Sequence, residues 1–506
     1  MSQLATSCLA LCLAALALPL RAQSPDTLLL RRILWAEDRR DSSDHALADG
    51  VRSKDARVAL IARRALARIR DPKFADRSQF AALPAPPSYP DPAWRLRYRA
   101  LVPKSTDCAT LRTAMTDDAW PVRLRAADLV TDACAADGAL MATLRSWLPM
   151  ASLRTHAAGG AAWQPAAHAL VALARVSPAD ARSALPSIAT SDSHWLRVYG
   201  ARAAALLADT PQLRIFAHDP NDNVKEAAID ALAKLTGHAS DSLYVDALRA
   251  RGYQAVRAAA RALKGAPTTP ELRRALLVAA ARLRADWSET SRDARLEVMA
   301  RLAESADQPM AADIAGLASD FDCPVAAAAA ALASKLGTAT SPRCAPFEST
   351  LPGDAVRLAL GADVRVRVVM AATSGGGEFV VRLRGDVAPI MAARILQLVR
   401  TGYYDGRAWH RVEPNFVIQG PSPGDNEYAG LPLFLRDELG SVPHVRGTVG
   451  MSTRGHDTGD AQWFVNLKDN LMLNADYTVF GEIIDGIEVA DGVLEGDVIE
   501  RIEVVM

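Results

Sequence analysis

The spacing of apolar residues changes once along this chain, after Leu336. Before that point, from about residue 28, the sequence is rich in Ala, Leu and Arg, and its apolar residues recur at the three- and four-residue intervals of a helix face. After it, apolar residues alternate with polar ones, as at Val366, Val368 and Met370. The chain has 506 residues, which is too long for one ordinary core. The sequence therefore predicts an all-α region, a turn-rich linker at residues 337–353 and a mainly-β domain.

One short pattern recurs within the helical part. It is a polar turn that often contains Asp, then an aliphatic residue, a basic or polar residue and an Ala-rich amphipathic helix, and it lies at residues 55–58, 118–123, 196–197, 222–225, 256–257 and 322–325. These segments resemble the second helices of HEAT-type repeats, in which small Ala side chains let paired helices approach. The resemblance implies a solenoid of about six to eight helix pairs over residues 24–336. A helical domain without repeats is the alternative.

The first residues have the features of a secretory signal. Residues 8–20 form an unbroken apolar stretch, and small and polar residues follow around Ala22. This length suits a signal peptide and is too short to span a bilayer. No Lys or Arg precedes the stretch, so a short buried N-terminal helix is the alternative. We predict a signal peptide at residues 1–23, a mature chain without a transmembrane segment, and a periplasmic or secreted protein.

Four cysteines remain after that signal: Cys108, Cys134, Cys323 and Cys344. An even number of cysteines in an oxidising compartment indicates disulfides. Sequence proximity favours Cys108 with Cys134 and Cys323 with Cys344, although four cysteines allow three connectivities. Four buried free thiols are the alternative.

Three blocks in the last third of the chain carry a specific resemblance. They are residues 402–420, with GYYDG followed by WHRVEPNFVIQG; residues 446–464, with RGTVGM followed by TGDAQWF; and residues 473–481, with LNADYTVFG. In this order they are similar to the signature of cyclophilin-type peptidyl-prolyl cis-trans isomerases. The resemblance implies a cyclophilin-like domain over residues 354–506 that needs no cofactor. The fold class predicted for the chain is multidomain, with an all-α HEAT-like helical-repeat solenoid followed by a mainly-β cyclophilin-like barrel.

The resemblance also assigns roles to single residues. Arg411 is expected to be the catalytic donor, and Gln419 to orient its guanidinium. The other residues are assigned to an apolar pocket, to the wall of that pocket or to contacts with the substrate chain. The substrate-binding residues are expected to be Phe416, Val417, Met451, Ser452, Thr453, Gln462, Phe464, Met472, Leu473 and Tyr477.

The chemistry of proline isomerisation suits such a set. Twisting an X-Pro bond gives up amide resonance, a barrier of about 18–20 kcal/mol, but no covalent bond breaks. A catalyst therefore needs a pocket for the proline ring and a donor that favours the twisted imide nitrogen over the planar one. Arg411 suits this role because a guanidinium is always charged and presents several donors in a fixed fork. We expect His410 to be structural, because neighbouring side chains on a strand point to opposite faces.

Other classes of function have less support. Lys and Arg together equal Asp and Glu, at 58 each, so no electrostatic argument favours a nucleic acid or an anionic membrane as partner. The nine histidines show no metal-ligand spacing, and we predict no metal site. The sequence thus predicts a prolyl isomerase with a chaperone role for exported, proline-containing polypeptides, whose repeats bind a client or a protein partner. The alternative is a non-catalytic scaffold that binds proline-containing segments mainly through its repeats.

Overall fold

The computed structural model of the protein describes residues 25–71, 84–103, 105–154, 160–345 and 350–505. The predicted signal peptide at residues 1–23 lies outside this part. Among the described residues, no helix has both the length and the apolar character needed to cross a membrane.

The helical part of the described chain contains α1 to α18. An Asp carboxylate caps α3, α5, α7 and α11 by accepting a backbone N–H of the first helical turn, and Asp55 at the start of α3 also belongs to the recurring pattern. The bounds are α1 Pro25–Asp38, α2 His45–Val51, α3 Ala56–Arg70, α4 Ala93–Ala100, α5 Cys108–Ala114, α6 Trp120–Asp128, α7 Gly138–Trp147, α8 Gln164–Val176, α9 Pro178–Ala189, α10 His194–Leu206, α11 Thr210–Phe216, α12 Asp222–Thr236, α13 Asp241–Ala247, α14 Tyr253–Ala262, α15 Pro270–Ala285, α16 Arg292–Ser305, α17 Ala311–Leu317 and α18 Cys323–Lys335.

Helices α4 to α18 form one array. From α6 onward the even-numbered helices pack in a row, each against the next, and the odd-numbered helices lie between them in sequence and pack on their flanks. The contact faces are rich in Ala: α14 buries Ala255, Ala258, Ala259 and Ala260. A side chain that ends at Cβ lets the next helix approach closely, so the composition explains the stacking. The all-α prediction is confirmed, whereas the assignment to the HEAT class stays a prediction.

Two disulfides fasten this array. Cys108 is bonded to Cys134, and Cys323 is bonded to Cys344. These are the pairs that sequence proximity favours. The second bond ties the segment after α18 back to the first turn of that helix. Two disulfides fit an oxidising, extracytoplasmic environment.

The C-terminal part is a curled antiparallel sheet, a half-barrel, with the strand order β3-β4-β6-β5-β7-β2-β1-β8. Backbone hydrogen bonds also join residues 406–409, just before β3, to residues 496–499 at the start of β8. The mainly-β prediction is thereby confirmed. The bounds are β1 Arg365–Met370, β2 Glu378–Leu383, β3 Arg411–Val412, β4 Val417–Gly420, β5 Thr448–Met451, β6 Trp463–Asn466, β7 Val479–Asp485, β8 Ile499–Val505, α19 Ala355–Ala359, α20 Pro389–Arg400 and α21 Ile487–Gly492.

Helices α1 to α3 share a hydrophobic core with this half-barrel rather than with the array. Ile33 of α1 and Ile61 of α3 belong to the same buried cluster as Val368 of β1, Phe379 of β2 and Met391 of α20. The array from α4 to α18 has its own buried cluster. The division into residues 24–336, 337–353 and 354–506 stays a prediction, and the packing adds that the first three helices contact the last part of the chain.

A buried ionic group connects these helices to the half-barrel. Arg68 of α3 donates to Glu37 of α1 at 2.6 Å, and also to the backbone carbonyls of Val387, Glu438 and Leu439 at 2.7–3.0 Å. The side chains of Arg68, Glu37 and Glu438 are all buried. Burial and then the charge of Glu37 raise the pKa of Glu438 to about 7. Arg68 therefore holds two helices and two loops of the C-terminal part at one point.

Candidate active site

Three predicted residues lie in one row across neighbouring strands. Arg411 of β3 pairs with Gln419 of β4, and Gln419 pairs with Phe464 of β6. Directly opposite residues of antiparallel strands point to the same face of the sheet. The register therefore places a guanidinium, an amide and an aromatic ring side by side.

Hydrogen bonds and a ring contact hold Arg411. Its Nη1 donates to Oε1 of Gln419 at 3.1 Å, and its guanidinium carbon lies 5.8 Å from the centre of the Phe416 ring. Nε2 of Gln419 donates to Oγ of Ser452 at 2.8 Å and to Oε1 of Glu427 at 3.3 Å. The Arg411 side chain remains 43% exposed. The guanidinium is thus held at one end and accessible at the other, next to an aromatic ring.

The ring of Phe464 lies against β5 at Gly450. A Cβ at Gly450 would be 2.4 Å from Cζ of Phe464, so only glycine allows this approach. The edge of Tyr477 contacts the Phe464 ring with centroids 5.7 Å apart, and His444 stacks on the ring at the same distance. Tyr477 and His444 thus pack against Phe464, the aromatic member of the row.

His444 is a residue that the sequence reasoning missed. Its ring nitrogens hydrogen-bond the Tyr477 carbonyl at 3.0 Å and the Asn466 side chain at 3.1 Å. Burial lowers its pKa to about 4, and the bond to Tyr477 opposes this shift only in part. The ring is therefore neutral near pH 7 and supports Phe464. Only its position two residues before Arg446, at the start of the second motif block, hinted at a role.

Several predicted residues lie close to this row. Leu473 is half-buried at the end of a short 3₁₀ helix, Leu471–Leu473, and its carbonyl accepts the Tyr477 N–H at 3.2 Å. Gln462 accepts the Ser452 N–H through its backbone carbonyl at 2.9 Å. Its side-chain Oε1 has no hydrogen-bond partner within the described residues. Thr453 follows Ser452 and is partly exposed.

Three predicted residues are placed differently from the rest. Met451 pairs with Trp463, on the other face of the sheet from Phe464, and it is buried in the core of the half-barrel. Met472 is 64% exposed, so its side chain points to solvent. Val417 lies on the face of Gln419 but is 2% exposed. The structure does not bring Met451 and Met472 into the row.

His410 lies beside Arg411 and is buried. Neither of its ring nitrogens has a hydrogen-bond partner in the part of the chain that the structure describes. Burial lowers its pKa to about 4, against the opposing charge of Asp425. A neutral ring away from the face of Gln419 and Phe464 agrees with the structural role expected from the sequence.

A cavity of about 1060 Å³ separates the array from the edge of the half-barrel at Arg411. Arg411 and Glu413 line it on one side, and helices α8, α10 and α12 line it on the other. Leu206 of α10 and Leu235 of α12 face it and are 48% and 43% exposed. The helices of the array that line this cavity thus lie directly across it from the guanidinium.

Comparisons with known proteins identify the family of the C-terminal part. Residues 367–504 match the family model described as cyclophilin type peptidyl-prolyl cis-trans isomerase/CLD. A probable peptidyl-prolyl cis-trans isomerase of Brucella suis is 32% identical over 164 residues, which cover 29% of this chain and 81% of the relative. Peptidyl-prolyl cis-trans isomerase B of Bacillus subtilis is 34% identical over 131 residues, or 26% of this chain and 92% of the relative.

A solved structure of a cyclophilin type peptidyl-prolyl cis-trans isomerase from Cryptosporidium parvum is 22% identical to this chain. It matches with a TM-score of 0.26 and covers 29% of this chain and 99% of that one. The half-barrel, its row of side chains and the sequence relatives define an enzyme that isomerises the peptide bond before proline. The chain belongs to the cyclophilin-type peptidyl-prolyl cis-trans isomerase family, and its helical array lies outside the matched residues.

Proposed function

We propose that Arg411 speeds the isomerisation by donating a hydrogen bond to the imide nitrogen of the substrate proline as the bond twists. The hydrogen bond from Arg411 to Gln419, made beside the Phe416 ring, is the observation that supports this most directly. The planar imide nitrogen is a poor acceptor because its lone pair is in resonance, whereas the twisted nitrogen accepts well. The donor therefore favours the transition state over the ground state.

The hydrogen bond from Arg411 supplies only part of the rate enhancement, and the pocket supplies the rest. A hydrogen bond from a charged donor contributes about 1.5–3 kcal/mol, which is about ten- to a hundredfold in rate. We propose that Phe416, Phe464 and Leu473 hold the proline ring in a shape that suits the twisted bond and supply the remainder. Gln462, with the backbone at Ser452 and Thr453, then holds the substrate chain.

Replacing Arg411 tests the mechanism. We expect Arg411→Ala to lower kcat/KM on a short Ala-Pro peptide by about ten- to a hundredfold in an NMR exchange assay. Arg411→Lys should remain impaired, because an ammonium lacks the fork that bonds Gln419 and the substrate together. The control is Arg357→Ala, since Arg357 is an exposed residue of α19 that pairs with Asp354. A folded Arg411→Ala protein with full activity would refute the assignment.

We propose further that the clients are exported polypeptides and that the array binds them next to the active site. The two disulfides support an oxidising compartment, and the cavity beside Arg411 supports a path for the chain that leaves the proline pocket. Leu206 and Leu235 offer exposed apolar surface on that path. Unfolded clients carry apolar segments that such a surface favours.

A comparison of long and short substrates tests this part. We expect the double variant Leu206→Ser with Leu235→Ser to slow the catalysed refolding of a protein limited by proline isomerisation. Turnover of a tetrapeptide should stay as in the wild type, since it is too short to reach the helices. Ile215→Ser is the matched control, because Ile215 is 65% exposed and does not line the cavity. Equal refolding rates for all these proteins would exclude the array as a client surface.

A further inference from the structure

The amide of Gln419 has two ends that face different charges. Oε1 accepts from the Arg411 guanidinium at 3.1 Å, and Nε2 donates to the Glu427 carboxylate at 3.3 Å. If the amide were turned over, its oxygen would face the carboxylate and its NH₂ group the guanidinium. Both contacts are repulsive, because a carboxylate only accepts and a guanidinium only donates. The hydroxyl of Ser452 can donate or accept, so Glu427 is the group besides Arg411 itself that selects the orientation.

Glu427 belongs to the loop of residues 421–436 between β4 and β5, which we call the active-site loop. The residues on both sides of Glu427 are held by the array as well as by the half-barrel, whose Arg454 donates to the Glu427 carbonyl and lies 5.8 Å from the centre of the Tyr428 ring. Oδ1 of Asn223 on α12 accepts from the Asn426 side chain at 2.9 Å, and its Nδ2 donates to the Gly424 carbonyl at 2.9 Å. Nη1 of Arg257 on α14 donates to the Tyr428 hydroxyl at 2.6 Å.

Asn223 is itself oriented by another residue of the array. Nε2 of Gln254, at the start of α14, donates to Oδ1 of Asn223 at 2.9 Å. Gln254 is 3% exposed, whereas Asn223 is partly exposed. Two neighbouring helices thereby fix one asparagine, and that asparagine fixes the turn that precedes Glu427.

A second attachment lies further along the same loop. The Glu289 N–H donates to the Pro432 carbonyl at 2.9 Å, and the Glu289 carboxylate accepts the Phe434 N–H. Glu289 is 4% exposed and stands just before α16. The array therefore holds the active-site loop at α12, at α14 and ahead of α16.

We propose that the array positions the catalytic guanidinium: Asn223 holds the turn at residues 424–426, this turn presents Glu427 to Gln419, and Gln419 aligns Arg411. Asn223, Gln254 and Glu427 are positioning residues that need no contact with the substrate. This inference rests on the proposed catalytic role of Arg411. Client binding by the array would affect only substrates long enough to reach it. Positioning of Arg411 by the array also affects the turnover of a peptide too short to touch it.

The test uses the full chain and a tetrapeptide in an NMR exchange assay. We expect Asn223→Ala to lower kcat on this peptide by about two- to thirtyfold, the usual range for coupling through a contact network, with a smaller change in KM. Glu427→Ala should give a similar loss without altering any side chain of the array. Arg284→Ala is the matched control, because among the described residues Arg284 bonds the Gly316 and Ser319 carbonyls and the Ser319 hydroxyl, all within the array.

A double-mutant cycle separates positioning from a loss of folding. If Asn223 acts through Arg411, adding Asn223→Ala to Arg411→Ala should cause no further loss. Additive losses would overturn the proposal, and so would wild-type kcat in both Asn223→Ala and Glu427→Ala. If Asn223→Ala does not fold, Glu427→Ala alone decides the question. Full activity of Arg411→Ala would refute the proposed mechanism instead, which keeps the two failures distinct.

Discussion

At the scale of a residue, the position of the Phe464 ring depends on the absence of a side chain at Gly450. The ring occupies space over β5 that any side chain at position 450 would fill. Tyr477 and His444 then contact the ring from two sides. The floor of the proposed proline pocket thus depends on Gly450 through packing, although Gly450 carries no functional group.

Gly450→Ala should therefore displace the ring. The new Cβ would lie 2.4 Å from Cζ of Phe464, and Phe464 has Tyr477 and His444 behind it. We expect kcat/KM on a short peptide to fall by about ten- to a hundredfold, because moving a substrate-positioning group by about 1 Å can cost this much in rate. In the control Gly316→Ala, on α17, the added Cβ meets no atom within 4 Å. A Gly450→Ala enzyme as active as this control would contradict the packing argument.

His410 predicts a pH dependence of stability. Its pKa is about 4 in the folded protein and about 6.5 when unfolded, so between these values only the unfolded chain takes up the proton. The free energy of unfolding therefore decreases as the pH falls from about 6.5 to 4. In His410→Leu this contribution is absent, and no hydrogen bond within the described chain is lost.

Urea unfolding at several pH values measures the effect. Between pH 6 and pH 5 the wild type should lose about 1.2 kcal/mol of unfolding free energy relative to His410→Leu. Glu438, whose pKa is raised to about 7, acts in the opposite direction, since the folded state then binds the extra proton. The comparison with the variant cancels that contribution. Parallel pH profiles for the two proteins would show that His410 titrates normally.

The site was predictable where a contiguous motif carries it. Arg411, Phe416 and Gln419 stand within one run of residues, and the antiparallel pairing of β3 with β4 places Arg411 opposite Gln419. Glu427 and His444 reach Gln419 and Phe464 through loops with no regular spacing, so no pattern in the sequence identified them. Met451 was grouped with the pocket by its motif, but its strand register turns it to the core.

At the scale of elements, the recurring sequence pattern marks most of the stacked helices but not all of them. The recurrences coincide with the starts of α3, α6, α10, α12, α14 and α18. Two of the long gaps arise because α8 and α16 stand in the row without the pattern. Helix α8 begins with Gln164 and Pro165, and α16 begins with Arg292 and Asp293 after a 3₁₀ turn. Packing, rather than the local turn, includes these two helices in the row.

Replacing Arg68 of α3 should have a large effect on stability. In Arg68→Met, the Glu37 carboxylate and three backbone carbonyls lose their donor inside the protein. We expect the free energy of unfolding to fall by about 3–5 kcal/mol, because a buried charge is left uncompensated. Denaturant unfolding, followed by tryptophan fluorescence, measures this loss.

The control for that variant lies on the same helix. Arg57 is 66% exposed and pairs only with Asp55 at the helix start, so Arg57→Met should change stability by less than about 1 kcal/mol. If Arg68→Met were as stable as Arg57→Met, the ionic group would not connect α3 to the half-barrel in the way its hydrogen bonds indicate.

At the scale of the whole molecule, the array and the half-barrel meet along most of the array. Arg95 of α4 bonds Asp491 at 2.7 Å, and Tyr199 of α10 bonds Glu495 at 2.6 Å. None of these residues belongs to a motif, and their sequence separations carry no periodic signal. The two folds were thus predictable one by one from the sequence, but their contact was not.

The shared core predicts that the half-barrel is not independent. We expect a protein of residues 354–506 alone to melt at a lower temperature than the full chain and to bind a hydrophobic dye, because α1 and α3 no longer cover its apolar face. Thermal unfolding followed by circular dichroism measures the difference. An isolated half-barrel with the full chain's melting temperature and tetrapeptide kcat would contradict both the shared core and the positioning by the array.

The position of α1 to α3 against the last strands constrains the order in which the protein can assemble. During synthesis these helices emerge before the half-barrel, yet the residues that cover Leu30, Ile33 and Ile61 belong largely to the half-barrel. Domains that fold as they emerge usually need only their own residues. Here the apolar faces of α1 to α3 stay exposed until the half-barrel has emerged, so these helices complete their packing only late in synthesis.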